Sequence, residues 1–254
     1  IEREVVVSYG TDLGTGYELK AYVPKSGKNP TDLLFHDKFD TDVFSIFGQY
    51  AIDLSDVTEL SLEARFDRED RSVDNMVPPV ASAYYYGGGA PINPAMAAVG
   101  DTIPSRSKVF EQFQPKIALN TNAGNTSYYM SYGYGFRSGG FNSTGSAALT
   151  EFWLNSGNPF GIGTVGAGIS VNDEFKKEVS TAFEIGFKGN YLDGRLAVNG
   201  SYFNTTVDDN QFFEFFAGPW GLLRVVTSID ELELSGYELD FKYALTASMR
   251  IDGG

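Results

Sequence analysis

The chain contains no cysteine and a single histidine, His36. The first absence removes disulfide frameworks, thiol nucleophiles and thiolate metal sites from consideration. The second leaves nothing with which to build a His-based triad or metal centre, so His36 reads as a surface residue in the first long connection. No segment approaches the eighteen or so consecutive apolar residues of a spanning helix, and no helical membrane segment is predicted. Positive charge is also scarce. The 19 Lys and Arg residues stand against 33 Asp and Glu, a net charge of −14, which argues against nucleic acid as a partner because phosphates require a basic surface. The acids are spread through the chain rather than gathered in a disordered tail. Asp67, Glu69, Asp70 and Asp74 lie close together but lack the spacing of a calcium loop. Gly161 to Gly166 spells the dinucleotide fingerprint, yet it follows Asn158-Pro159-Phe160 and opens no helical pattern, so it reads as a loop. No catalytic pair, metal site or cofactor is predicted.

What the chain does have is aromatic content, 15% of residues with 20 Phe and 15 Tyr, arranged with a period of two. From Thr126 to Phe136, Tyr128, Met130, Tyr132, Tyr134 and Phe136 fall on one face of a strand. Ser127, Tyr129, Ser131, Gly133 and Gly135 fall on the other. The alternation recurs in Phe44 to Leu54, Leu60 to Asp67, Val179 to Tyr191, Leu196 to Thr205 and Tyr237 to Tyr243, and less cleanly in Val109 to Asn120. The runs span seven to thirteen residues, most of them ten or more. That exceeds the five or six usual in soluble sheets and suits the roughly nine to eleven of a tilted membrane-spanning strand.

The connections alternate in length. Short Asp-, Asn- and Gly-rich turns occur at Ser55 to Val57, Thr121 to Asn125 and Leu192 to Gly194. Long, loosely patterned stretches run from Gly10 to Asp42, Asp70 to Lys108, Arg137 to Lys177 and Asp208 to Glu231. Loops this long are uncommon in compact domains, whereas outer-membrane barrels join strands by short periplasmic turns and long extracellular loops. The expected fold is therefore all-β: an antiparallel meander of long strands forming a partial transmembrane β-barrel. Two other architectures fit the same alternation. One is a small autonomous outer-membrane barrel, an adhesin or a barrel enzyme; the other is a soluble carbohydrate-binding β-sandwich. About eight complete strands and a partial one are expected, against the even number that a closed bacterial barrel needs, and both ends read as cut.

The run Tyr132-Gly-Tyr-Gly-Phe-Arg-Ser-Gly-Gly-Phe-Asn142 resembles a signature of TonB-dependent outer-membrane receptors, in which a barrel strand ends in Gly-Phe-Lys/Arg-Ser-Gly-Gly-Phe-Asn. Further pieces match in the family's order. They are the hairpin Val43 to Asp53 with Leu60 to Glu69, the segment Glu178 to Lys188 followed by Leu192-Asp-Gly-Arg-Leu196, Phe203 to Gln211, and Ser235 to Leu239. The resemblance covers Val43 to Gly254. It implies a bacterial outer-membrane transporter, not an enzyme: a large barrel of about 22 strands that takes up a scarce nutrient such as a ferric siderophore, vitamin or glycan. Its implied partners are outer-membrane lipid, its own plug domain, the inner-membrane TonB complex and a small-molecule ligand. Residues 1–254 are then one barrel segment, incomplete at both ends and without plug or TonB-contacting motif.

Two groups of residues are candidates for substrate contact. Phe213, Phe216 and Trp220 belong to an aromatic stretch between two strands, placed to meet an apolar or planar ligand at the outer interface. A girdle or an extended hairpin explains the same residues without a ligand. Arg137 and Asn142 flank the Ser-Gly-Gly-Phe run, whose glycines are expected to allow backbone angles that bend the strand into its loop. Glu63, Arg65, Asp67, Glu184, Lys188, Glu238, Asp240 and Lys242 share the face away from lipid, where pairing with one another or with a plug is expected.

Overall fold

A computed structural model describes residues 2–7, 35–76, 95–96, 101–155, 168–218 and 221–254. The strands are β1 (Glu2–Val7), β2 (Phe35–Ser55), β3 (Thr58–Asn75), β4 (Arg106–Ala123), β5 (Thr126–Arg137), β6 (Gly140–Phe141), β7 (Glu174–Phe175), β8 (Glu178–Tyr191), β9 (Leu196–Gly218), β10 (Gly221–Ala244) and β11 (Arg250–Gly253). A short helix α1 (Ser146–Thr150) continues into a π-helical turn, Glu151–Asn155. Nine strands form one sheet in the order β1-β2-β3-β4-β5-β8-β9-β10-β11, and β6 and β7 pair separately. Every pairing is antiparallel. The expected meander is the observed fold. Among the described residues no second large sheet packs on either face, which removes the sandwich alternative.

Register turns the period-two pattern of each strand into two continuous surfaces. Ile52, Leu60, Leu119, Met130, Ile185, Tyr202 and Tyr237 are successive cross-strand partners, an unbroken apolar row over seven strands. One residue along, Asp53, Glu59, Asn120, Tyr129, Gly186, Ser201 and Glu238 make the corresponding polar row. The apolar face is open: Tyr237 is 85% exposed and Tyr50 68%. The polar face is cross-linked. Asp67 accepts hydrogen bonds from Arg65 Nε at 2.7 Å and from Ser45 and Gln114, Lys116 lies 3.2 Å from Glu63, and Tyr129 donates to Glu184 at 2.6 Å. Phe47, Leu232 and Leu234 are apolar exceptions on this face.

On β2 the apolar stripe runs from Phe44 to Leu54. At about 3.3 Å per residue and a tilt of roughly 45°, its height is close to the apolar band of about 25 Å typical of outer-membrane barrels. Beyond Phe66 and Phe113 the same face carries the Arg68–Glu111 ion pair, so the stripe ends there. Tight turns close the opposite end, where Gly124 and the sequence Leu192-Asp193-Gly194 supply the positive φ angles that such turns require.

The strands exceed the expected length. β2, β9 and β10 have 21, 23 and 24 residues, and the additional length lies above the apolar stripe. The expected loop from Asp208 to Glu231 is instead the upper half of the β9–β10 hairpin, with Phe213 opposite Val226 and Phe216 opposite Leu223. Asp209, at φ 52°, interrupts the alternation there, and the aromatic and β-branched residues beyond it carry the ladder onward. His36 is likewise not a loop surface residue: it lies on β2 and is buried.

The buried apolar core is at this upper end. Val73, Phe110, Leu223 and Val225 come from the strand extensions, and Met96, Ile103, Leu149, Leu154 and Val171 from the connections. The middle of the sheet contributes none of them.

Candidate functional site

The segment after β5 folds over the polar face, and the glycines of the Ser-Gly-Gly-Phe run permit it. A Cβ on Gly139 would sit 2.4 Å from Phe110 Cε1 and 2.6 Å from the Phe175 carbonyl oxygen; one on Gly140 would sit 2.8 Å from Phe175 Cζ. Neither glycine has a positive φ. The expected reason for these glycines, unusual backbone angles, is therefore replaced by close approach of Phe110 and Phe175.

Side-chain hydrogen bonds fasten the segment on three sides. Towards β2 and β3, the Thr144 N–H donates to Asp37 Oδ2 at 3.0 Å, its hydroxyl donates to Asp37 Oδ1, and Asn75 Nδ2 donates to both Asp37 Oδ1 and Thr144 Oγ1. Asp37 is fully buried, and burial pushes its carboxyl above the usual range despite these donors. Towards β4, Asp173 accepts from Arg106 Nη2 at 2.9 Å and from the N–H groups of Gly145 and Ala147. Towards β9, Gln211 Nε2 donates to the Ser138 and Lys176 carbonyls at 2.8 and 3.1 Å. Its backbone N–H donates to Glu178 Oε2 at 2.8 Å.

Between this segment and the upper strands lies a half-open cavity of about 690 Å³. β2 and β3 contribute Phe39, Glu69 and Arg71; the crossing segment contributes Arg137, Phe141, Asn142 and Phe175; β9 and β10 contribute Gln211, Phe213, Leu223 and Arg224. A volume of this order suits a small molecule. Aromatic and cationic groups meet directly in it, because the Arg224 guanidinium lies 3.9 Å from the centre of the Phe213 ring. Arg71 is held by Glu69 at 2.7 Å.

Of the residues singled out from sequence, Arg137, Asn142 and Phe213 line this cavity together. Asn142 is buried, and both of its amide groups are occupied by backbone. Phe216 lies further along β9, opposite Leu223 and outside the lining. Trp220 and the Gly161 to Gly166 run lie outside the described residues. Phe141 of the Ser-Gly-Gly-Phe run joins Arg137, Asn142 and Phe213 in the lining, whereas Arg71, Phe175 and Arg224 were not identified from sequence. Arg224 reaches Phe213 as a diagonal neighbour across the hairpin, a relation that exists only once the register is known.

The sequence matches the family described as "TonB dependent receptor-like, beta-barrel" over residues 4–254. Among curated proteins none matches. The fold is similar to that of solved uptake receptors and a transporter. One is the ferric yersiniabactin uptake receptor FyuA from Yersinia pestis, with TM-score 0.53, 13% identity, and 86% of this chain and 27% of that one covered. Another is the copper transporter OprC, with TM-score 0.53, 20% identity and coverage of 86% and 28%. A third is the ferric-catecholate import receptor Fiu from Escherichia coli K12, with TM-score 0.50, 20% identity and coverage of 87% and 27%. The chain thus spans little more than a quarter of each of these proteins.

Proposed function

The chain belongs to the family of TonB-dependent-receptor-like β-barrels, and from that premise we propose that it forms part of the wall of a bacterial outer-membrane transporter for a scarce small-molecule nutrient. The apolar row from Ile52 to Tyr237 carries the reading. A face this broad, exposed and continuous is foreign to a water-soluble monomer and suited to lipid, while the cross-linked polar face suits a wet lumen. In this reading residues 1–254 are one segment of a barrel whose plug and TonB-contacting parts lie outside this chain. The upper cavity lies on the lumen side, where ligand arriving from outside first meets the wall.

The test begins with cells producing the protein that contains this chain. It should band with outer membranes on a density gradient, and its deletion should remove uptake of at least one metal chelate or vitamin that collapse of the proton gradient also abolishes. Recovery in the water-soluble fraction, or uptake unaffected by the deletion for every nutrient offered, would overturn the proposal.

A further inference from the structure

Resting on that reading, we propose that the upper cavity selects an anionic ligand bearing a planar ring, held by the guanidinium groups of Arg137 and Arg224 beside the Phe213 face. Around the cavity and along the polar face many cations are held in ion pairs: Arg65 by Asp67, Arg71 by Glu69, Arg106 by Asp173, Lys108 by Glu174, Lys116 by Glu63 and Lys176 by Asp209, while Lys177, Lys188 and Lys242, which make none among the described residues, lie outside the cavity lining. Arg137 and Arg224 make no ion pair among the described residues, and both line the same cavity.

The case of Arg137 is specific. The β5–β8 register places Glu178 directly opposite it, where an ion pair would ordinarily form. Glu178 Oε2 accepts instead from the Gln211 N–H at 2.8 Å and from Asn210 Nδ2 at 3.1 Å, which turns the carboxylate towards β9. Arg137 is exposed, and its fork of donors makes no hydrogen bond among the described residues. The Arg224 guanidinium carbon lies over the Phe213 ring, and its N–H groups make no ion pair among the described residues, so they can meet a carboxylate or phenolate. The acids that also line the cavity are already answered, Glu69 by Arg71 and Asp40 by Lys38 at 3.7 Å. Two guanidinium groups therefore stand without an ion-pair partner among the described residues, next to an aromatic surface. A cationic or neutral ligand would leave them so; an anionic ring-bearing ligand satisfies both features.

The test uses outer membranes carrying the full-length receptor. Retention of radioactive iron is measured for three probes: the anionic iron(III) complex of 2,3-dihydroxybenzoate, anionic iron(III) citrate, and cationic ferrioxamine B. The expected result is saturable binding of the dihydroxybenzoate complex, weaker binding of citrate and none of ferrioxamine B. Arg137→Gln and Arg224→Gln should each weaken the first about tenfold, with recovery in Arg137→Lys because it keeps the charge. Folded barrel is quantified for every variant by its heat-modifiable mobility, so that lost assembly is not read as lost binding. Binding of ferrioxamine B in preference to both anionic complexes, absence of binding by either anionic complex, or indifference to both glutamine variants would overturn the proposal. Whole-cell uptake separates the two readings. Arginine-dependent binding without proton-driven uptake removes the transporter and keeps the ligand class. Proton-driven uptake indifferent to both arginines does the reverse.

Discussion

Asn142 and Val226 are joined by a reciprocal pair of hydrogen bonds: Asn142 Oδ1 accepts from the Val226 N–H at 2.8 Å, and its Nδ2 donates to the Val226 carbonyl at 2.9 Å. The N–H and C=O of one strand residue point to the same flank, so these groups lie on the side of β10 that β9 does not occupy. The amide acts there as one rung of a strand. It closes a short piece of edge that would otherwise expose unpaired backbone, and it fixes the crossing segment to the β9–β10 hairpin.

Replacing Asn142 with Ala should deprive three backbone groups of their partner, the Val226 N–H and carbonyl and the Asn172 carbonyl, and destabilise the upper end by about 1–3 kcal/mol. Asn142→Asp should cost at least as much, because a carboxylate can accept from the Val226 N–H but repels its carbonyl. Folded outer-membrane protein heated in detergent should convert to the unfolded band at a lower temperature in both variants. Equal stability of Asn142→Asp and wild type would show that the Nδ2 bond contributes nothing.

Gly139→Ala should be more damaging than Gly140→Ala. The first added methyl meets the Phe110 ring edge and the Phe175 backbone carbonyl, which cannot swing away, whereas the second meets the tip of the Phe175 side chain. Overpacking of this kind costs about 1–3 kcal/mol. Phe110→Leu should restore part of the loss in Gly139→Ala, read as a coupling in a double-mutant cycle by the same heat conversion. No coupling would place the Phe110 contact outside the cause.

The membrane-spanning part of the fold was legible because alternation within each strand is a local property. Ile52, Leu60, Leu119, Met130, Ile185, Tyr202 and Tyr237 could each be assigned to a face before any pairing was known, and register only aligned them. Above the stripe the strands keep their conformation but exchange lipid for protein and water, and the pattern that marked them fades. For this reason the Asp208 to Glu231 stretch read as a loop. The site was legible in part. Arg137, Asn142 and Phe213 were visible as residue types in suggestive runs, but Arg224 enters only through the hairpin register. That Glu178 is diverted from Arg137 depends on Asn210 and Gln211, more than thirty residues on.

The Asp37–Thr144 attachment should depend on pH. The folded-state pKa of Asp37 is raised, so its contribution to stability is fully present below the ordinary carboxylate value of about 4 and is lost as pH rises through the folded value. The chain has no cysteine, so Ser143→Cys, made in the protein containing this chain with any cysteine elsewhere replaced by serine, provides a reporter beside Thr144. Its labelling by a membrane-impermeant maleimide, normalised to the same reporter in an Asp37→Asn background, should accelerate from acid towards neutral pH. A ratio that stays flat, or falls with rising pH, would contradict the assignment.

The face assignment gives the sharpest contrast between neighbouring strands. Ile117 on β4 lies within the outward apolar stripe, partnered by Leu62 and Tyr132. Ser131 on β5 lies on the polar face, partnered by Ala118 and Glu184. An arginine at Ile117 would project into hydrocarbon near mid-height, at about 2–4 kcal/mol. An arginine at Ser131 would stand in the lumen beside Glu184 and cost little, since an exposed ion pair contributes no more than about 1 kcal/mol either way. Ile117→Arg should therefore reduce the folded fraction recovered in outer membranes by tenfold or more, while Ser131→Arg leaves it near wild type. Because Ser131 immediately precedes Tyr132, the cross-strand neighbour of Ile117, the two variants probe nearly the same height and differ in which side of the wall receives the charge. Equal losses would mean that both sides are buried in protein, and the wall would not be a boundary between lipid and water.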